Sequence, residues 1–301
     1  MTTTQNPYQV FAVVVTYNRL SLLKNTLEGL KAQSHLPAHT IVVNNGSSDG
    51  TTEWLDRQSG LQVIHQENVG GSGGFYTGVK AANEAGAEWI WIMDDDVLPE
   101  QNCLEKLLNY SSQSLCLNPI HVDQHNIVSD EERWFDATDC SIVNLHNRSF
   151  ENGKKIWFRN LGSFEGMLIH RSLIEKIGFP DPRFFIAHDD LIYGYLASKH
   201  TNVAVIADAI IRRQPVVKSE ESTYHYDYYY MYRNLWLLEE YAEKNLNGYS
   251  GYRKRRIKLQ FFYTIYKIFF VDKPKHKKKA LSYLFQAYRD YKKKKAGIKN
   301  G

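Results

Sequence analysis

Four short apolar runs, set apart by stretches of helical length, constrain this chain most. They are Val10 to Thr16, Thr40 to Val43, Leu61 to His65 and Trp89 to Met93. The first reads VFAVVVT, rich in the β-branched residues that suit a pleated strand. After it, Ser21 is placed to cap a helix through about Gln33, with Leu22, Leu23, Leu27 and Leu30 spaced for one buried face. Thr51 to Gln58 and a stretch ending near Ala85 supply the next helices. Strands and helices alternating in this way predict an α/β chain with a parallel, doubly wound sheet and right-handed crossovers. A hydrophobic content of 43% is ample for its core.

The fourth run ends in Asp94-Asp95-Asp96. Ligands of open α/β sheets gather at the carboxyl ends of strands. Three adjacent carboxylates repel one another unless a cation or basic group compensates. Hard oxygen ligands suit Mg2+ or Mn2+, ions that bridge protein carboxylates to substrate phosphates. The competing reading is a solvated acidic loop. A second acidic pair, Asp189-Asp190, ends the run FFIAH, read here as another strand end. Brought together, one cluster would hold a metal while the other supplies a base. Alternatively, Asp189 or Asp190 caps a helix beginning near Leu191.

The glycines from Gly70 to Gly74 read as a loop before a helix. They lack the GxGxxG spacing of a dinucleotide site directly after the first strand. They still allow close backbone approach to a ligand, or simply a flexible turn. Leu104 to Asn152 shows little regularity. In Tyr224 to Asn234, tyrosines at 224, 226, 228, 229 and 230 are expected to pack a helix against the sheet, with some facing a sugar or nucleotide. Arg233 faces either a phosphate or an internal ion pair. Cys103, Cys116 and Cys140 show no CxxC spacing and suit free thiols in a reducing compartment. Met1 to Tyr8 lacks the basic-then-apolar order of a signal peptide, and no stretch reaches the length of a membrane span.

Charge is divided unevenly. Tyr252 to Gly301 holds 17 Lys and Arg against 2 Asp and Glu, a net of +15, within a chain of net +4. Basic clusters there alternate with aromatic and aliphatic segments. Such a tail predicts an anionic partner, a membrane surface in preference to nucleic acid, for which no recognisable module exists. The alternative is a helical hairpin packed on the body with a solvated lysine face.

Taken in order, VVTYNR, VVNNGSSDGT, NVGGSGGF, DDDV, FFIAHDD and YYYMYRN resemble the family 2 glycosyltransferases of the GT-A fold. The resemblance covers about Val10 to Asn234. It is nearest to the galactofuranosyltransferase branch, with rhamnosyltransferases sharing the layout. It implies a GT-A domain over 1–240, and the charge pattern sets 241–301 apart as a basic amphipathic helical region. Thr16, Tyr17 and Arg19 would lie along the nucleotide, and Asn45 would contact uracil. Asn68, Gly73 and Gly74 would border the nucleotide and donor sugar. Asp94 and Asp96 would form the DxD metal and diphosphate site, with Asp95 near the ribose or sugar. Asp190 would be the general base and Asp189 its acceptor-orienting neighbour. The branch resembled carries a metal-binding histidine before a proline, where this chain has Arg212-Arg213-Gln214-Pro215, and another histidine where Met231 stands. His225 would then serve as third ligand, or Arg213 would offset phosphate charge directly.

The activity implied is inverting, Mn2+- or Mg2+-dependent transfer from a UDP-sugar, UDP-galactofuranose first, to a glycan or lipid-linked acceptor in bacterial surface polysaccharide synthesis. Its place would be cytoplasmic, peripheral at the inner face of the cell membrane. A dTDP-rhamnose enzyme is the near alternative. A sugar nucleotidyltransferase is remoter, since TYNR lacks the glycine-rich, basic loop expected after the first strand.

Overall fold

The structure, a computed structural model, describes residues 8–123, 125, 127–128, 133–145, 153–216, 220–245 and 250–299. Its first half alternates strictly: β1 (Val10–Thr16), α1 (Leu20–Lys31), β2 (His39–Asn44), α2 (Thr51–Leu55), β3 (Gln62–His65), α3 (Gly70–Glu84) and β4 (Trp89–Asp94). Then come β5 (Val97–Pro99), α4 (Cys103–Leu108), β6 (Cys116–Val122), and the hairpin β7 (Arg133–Asp136) and β8 (Ser141–Asn144). After β9 (Ile156–Arg159) follow β10 (Met167–His170), α5 (Arg171–Ile177), α6 (Asp189–Ala197) and β11 (Val203–Arg213). The remainder is helical: α7 (Glu220–Thr223), a π-helix (Tyr224–Tyr230), α8 (Met231–Arg233), α9 (Leu235–Asn245), α10 (Ser250–Tyr266), a π-turn (Lys267–Val271) and α11 (Lys277–Lys292).

The main sheet runs β3-β2-β1-β4-β10-β6-β11-β5, with β9 also on β11. Strands β1 to β4 run parallel to one another, as the alternation predicts. β10 enters antiparallel between β4 and β6. Successive side chains of a strand point to opposite faces. Val10, Ala12 and Val14 thus pack with Leu23, Leu27 and Leu30 of α1. Phe11, Val13 and Val15 pack with Phe75 and Val79 of α3. Burial on both faces explains why β1 and β4 read as unbroken apolar runs.

Four local expectations change. Ser21 lies inside α1, and the first free N–H, that of Leu20, donates to Asp49 Oδ2 at 3.0 Å. The glycines 70 to 74 are the opening turns of α3, not a loop. The irregular middle hides β6, a buried interior strand. Its Pro119 is tolerated because pairing with β10 ends at Leu117. The tyrosine segment packs against α10 and α11 instead of the sheet, in a separate core of Tyr224, Tyr228, Tyr229, Tyr232, Ile257, Phe261 and Leu284. The expected boundary at 240 falls within α9. No helix among the described residues is long and apolar enough to cross a membrane.

Candidate active site

Asp94 ends β4, and Asp95 and Asp96 form the turn to β5. The turn is braced from α1 and from the end of β11. The Thr26 hydroxyl lies 2.8 Å from the Asp95 carbonyl oxygen and 2.7 Å from that of Val97. The Gln214 N–H donates to the Asp96 carbonyl at 2.8 Å. Each side chain then has a distinct setting. Asp95 is buried and accepts from the Thr16 hydroxyl at 2.6 Å, the Tyr17 N–H at 3.3 Å and Arg19 Nη1 at 3.0 Å. Burial pushes its pKa up to about 6, against the pull of Arg19 and Thr16. Asp96 meets the same Arg19 nitrogen at 2.8 Å. Asp94 opens into the cleft, where burial, then repulsion from Asp96 and Glu165, holds its carboxyl well above the usual range.

Asp189 and Asp190 do not end a strand. They open α6, after a tight loop in which Phe185, Ala187 and His188 have φ of 65°, 71° and 68°. Such angles are uncommon outside glycine and need support. Asn234 supplies it: its Nδ2 lies 3.1, 2.8 and 2.9 Å from the carbonyls of Phe184, Ile186 and Ala187. Arg233 Nη2 adds 3.0 Å to the Phe184 carbonyl. The Ser72 N–H of α3 donates to the Phe185 carbonyl at 3.1 Å. There Gly70, at φ +80°, has no room for a side chain, since a Cβ would sit 2.1 Å from the Phe185 oxygen. Asp190 Oδ1 accepts the Leu191 N–H at 2.7 Å. Burial, then the charge of Asp189, raises Asp190 to about 7. Burial also raises Asp189.

Both acidic groups face one cleft of about 340 Å3. Asp94, Asp96, Glu165, Asp189, Asp190 and Asp227 line it together with Arg19. Phe75 and Phe164, with ring centroids 4.6 Å apart, form an apolar wall. Glu165 and Asp227 went unread in the sequence. Glu165 is the one acid in the apolar stretch Leu161 to Ile169, directly before Gly166 at φ +96°, and that placement was its available signal. Asp227 was masked by the tyrosines around it.

Other expected residues lie elsewhere. His225, expected as a third metal ligand, is not among the residues lining the cleft: its Nε2 is 3.0 Å from the Tyr283 hydroxyl, and its ring packs on Tyr283 and Tyr230. Gln214 turns its amide to α1, with Nε2 3.2 Å from the Leu22 carbonyl. Arg213 Nε pairs with Glu165 at 2.5 Å. Asn45 is buried, its amide donating to the Gly70 carbonyl at 2.9 Å and accepting from Gln66 at 2.8 Å, so it braces the loop before α3. Asn68 accepts the Gly70 N–H at 2.9 Å. Gly73 and Gly74 are buried against Val69 and Val15, and Gly71 is the glycine that lines the cleft. Thr16 orients Asp95, while the Tyr17 side chain is exposed. Among the described residues Arg233 pairs with no carboxylate: it is buried and donates to the carbonyls of Arg183, Phe184, Lys295 and Gly297.

The cleft's donor set fits a divalent cation. Its surplus of carboxylate oxygens is the hard-ligand chemistry of Mg2+ and Mn2+. Among the described residues no three His, Cys, Asp or Glu side chains already stand as a metal cluster. An ion held by one or two carboxylates and completed by phosphate oxygens and water needs none.

The profile described as Glycosyl transferase family 2 matches residues 11–178. The chain belongs to glycosyltransferase family 2. Among curated relatives, it is 32% identical over 189 residues to galactofuranosyltransferase GlfT1 of Mycobacterium tuberculosis, covering 60% of this chain and 62% of that one. It is 24% identical to the O-antigen chain rhamnosyltransferase RfbN of Salmonella typhimurium, over 68% of this chain and 66% of the relative. Among solved structures, GalNAc-T7 with UDP, GalNAc and Mn2+ superposes with TM-score 0.56 at 12% identity, over 88% of this chain and 58% of that one. Residues 1–349 of S. aureus TarS give TM-score 0.58 at 13% identity, over 94% and 80%. The fold of this family 2 member is GT-A: a central α/β sheet, followed by C-terminal helices.

Proposed function

We propose that this family 2 member is an inverting, metal-dependent glycosyltransferase. It would move galactofuranose from UDP-galactofuranose to a glycan or lipid-linked acceptor in bacterial surface polysaccharide synthesis. The observation that carries this reading is the meeting of Asp94 and Asp96 with Asp190 in a single cleft. A diphosphate would be repelled by so many carboxylates without a cation between. Asp94 and Asp96 are the residues to hold Mn2+ or Mg2+, which when bound neutralises charge developing on the departing UDP. Arg19 fixes the turn through Asp95 and Asp96. Asp190, near pKa 7, takes the proton of the acceptor hydroxyl as that oxygen attacks the anomeric carbon from the face opposite UDP. The bond to UDP breaks as the new glycosidic bond forms, and the configuration inverts. Asp189 stands beside the base to orient the acceptor.

The preference for galactofuranose rests on the resemblance to GlfT1. The RfbN match supports dTDP-rhamnose as the second reading. Donor hydrolysis decides between them. The protein is incubated with Mn2+ and a panel of sugar nucleotides, and free UDP and dTDP are measured. UDP release from UDP-galactofuranose alone is expected. Release of dTDP only would replace the donor, and release from none would remove the proposed activity.

A further inference from the structure

We propose that the outer face of α10, with the π-turn continuing it, docks on an anionic lipid bilayer. α10 is apolar on two opposite sides. Ile257, Phe261 and Ile268 point inward and are buried. On the other side Leu259, Phe262, Tyr266 and Phe270 recur three or four residues apart, 52% to 66% exposed. The rings form one patch: Tyr266 stacks on Phe270 at 5.1 Å, and Tyr263 lies 6.3 Å from Tyr266. One apolar stripe suffices to attach a surface helix to its core. A second, contiguous and exposed, marks an interaction surface.

Charge selects the occupant. Arg255 and Lys258, both exposed, share the outer stripe one to two turns before Phe262. Lys273, Lys275, Lys277 and Lys278 are exposed just beyond its other end. From Tyr252 to Val271 there is no acidic residue. Aromatic rings flanked by lysine and arginine suit the headgroup boundary of an anionic membrane. Nucleic acid would match the charge, but Leu259 and Val271 offer bases no stacking face. The patch also adjoins the cleft. A cavity of about 440 Å3 lies beneath the β7–β8 hairpin and α10, lined by Tyr263 of the patch and by Asp227, which lines the cleft as well. A docked protein would hold its cleft beside the bilayer, within reach of a lipid-linked acceptor. That consequence rests on the function proposed above; the docking does not.

The test is co-sedimentation of the full chain, without substrates, with vesicles of phosphatidylglycerol and phosphatidylcholine or of phosphatidylcholine alone. The expected result is pelleting with the anionic vesicles only. The triple variant Phe262→Ser, Tyr266→Ser, Phe270→Ser should partition about tenfold less, because it removes the inserted rings. Its Tm should be unchanged, since those rings are exposed. Wild-type pelleting retained by the triple variant, or no pelleting of the parent, overturns the proposal. So does a parent dimer in sedimentation velocity that the triple variant dissolves, for then the patch joins two copies. Donor hydrolysis on the same samples reports the catalytic reading separately.

Discussion

Asp190 lies with its carboxyl near pKa 7, raised first by burial and then by Asp189. A base must be unprotonated to accept the acceptor's proton, so kcat/KM should rise with pH through about 7 and level above it. Asp190→Asn should lower kcat by about 10²-fold or more while UDP binding, followed by calorimetry, persists. Stability carries the same shift with the opposite benefit. The folded pKa lies above the ordinary 3.8, so the folded state holds this proton after the unfolded chain has released it. Stability therefore falls as pH rises from about 4 to about 7. Asp190→Asn should melt above the parent at pH 8 and level with it near pH 4, a comparison one calorimetric series makes. Asp96→Ala removes a cleft carboxylate and leaves Arg19 its bond to Asp95. Mn2+-dependent UDP binding should weaken at least tenfold by titration calorimetry, the scale of a lost charged contact.

At the level of elements, the acidic pair is aimed by contacts far along the chain. Within the loop 184–188, the positive φ of Phe185, Ala187 and His188 is supported by Asn234, about fifty residues away. Asn234→Ala would leave three carbonyls without that donor and should destabilise the fold by about 2 kcal/mol or more. Denaturant titration measures this, and turnover should fall more than donor KM rises, because α3 and the β4–β5 turn stay in place. α6 itself is seated by Gly194, whose Cβ would fall 1.8 Å from the Gly162 nitrogen. β4 with its three aspartates was readable from the sequence because burial on both faces writes an unbroken apolar run. β6 was not, since Asn118, Pro119 and His121 interrupt such a run and are tolerated only by what lies beside them. Asn118 Oδ1, for one, accepts from Arg159 at 3.0 Å inside the core.

For the whole molecule, the basic C-terminal helices are also part of the support of the cleft. Arg233 is 1% exposed and ties the 183–184 backbone to the carbonyls of Lys295 and Gly297. The Tyr229 hydroxyl donates to Asp290 at 2.7 Å. Tyr283 and Leu284 of α11 share one buried cluster with Tyr224 of the π-helix. A chain ending at Asn245 would expose that cluster and leave Arg233 short of two acceptors. It should lose near-ultraviolet circular dichroism and aggregate, whereas an independent appendage would come away leaving the rest folded.

The sequence alone determined the alternating β1 to β4 layout, the placing of Asp94, Asp95 and Asp96 at a strand end, and the family. These depend on local periodicity and on short motifs, which neighbours in the chain express directly. Tertiary structure decided that Asp189 and Asp190 open a helix, that Glu165 and Asp227 join the cleft, and that His225 bonds to Tyr283 instead. It also decided which side of α10 stays outside. Each of these depends on contacts between residues far apart in the chain, such as Asn234 on the 184–188 loop. No local pattern records such contacts, because they exist only once the sheet and the C-terminal helices have closed around them.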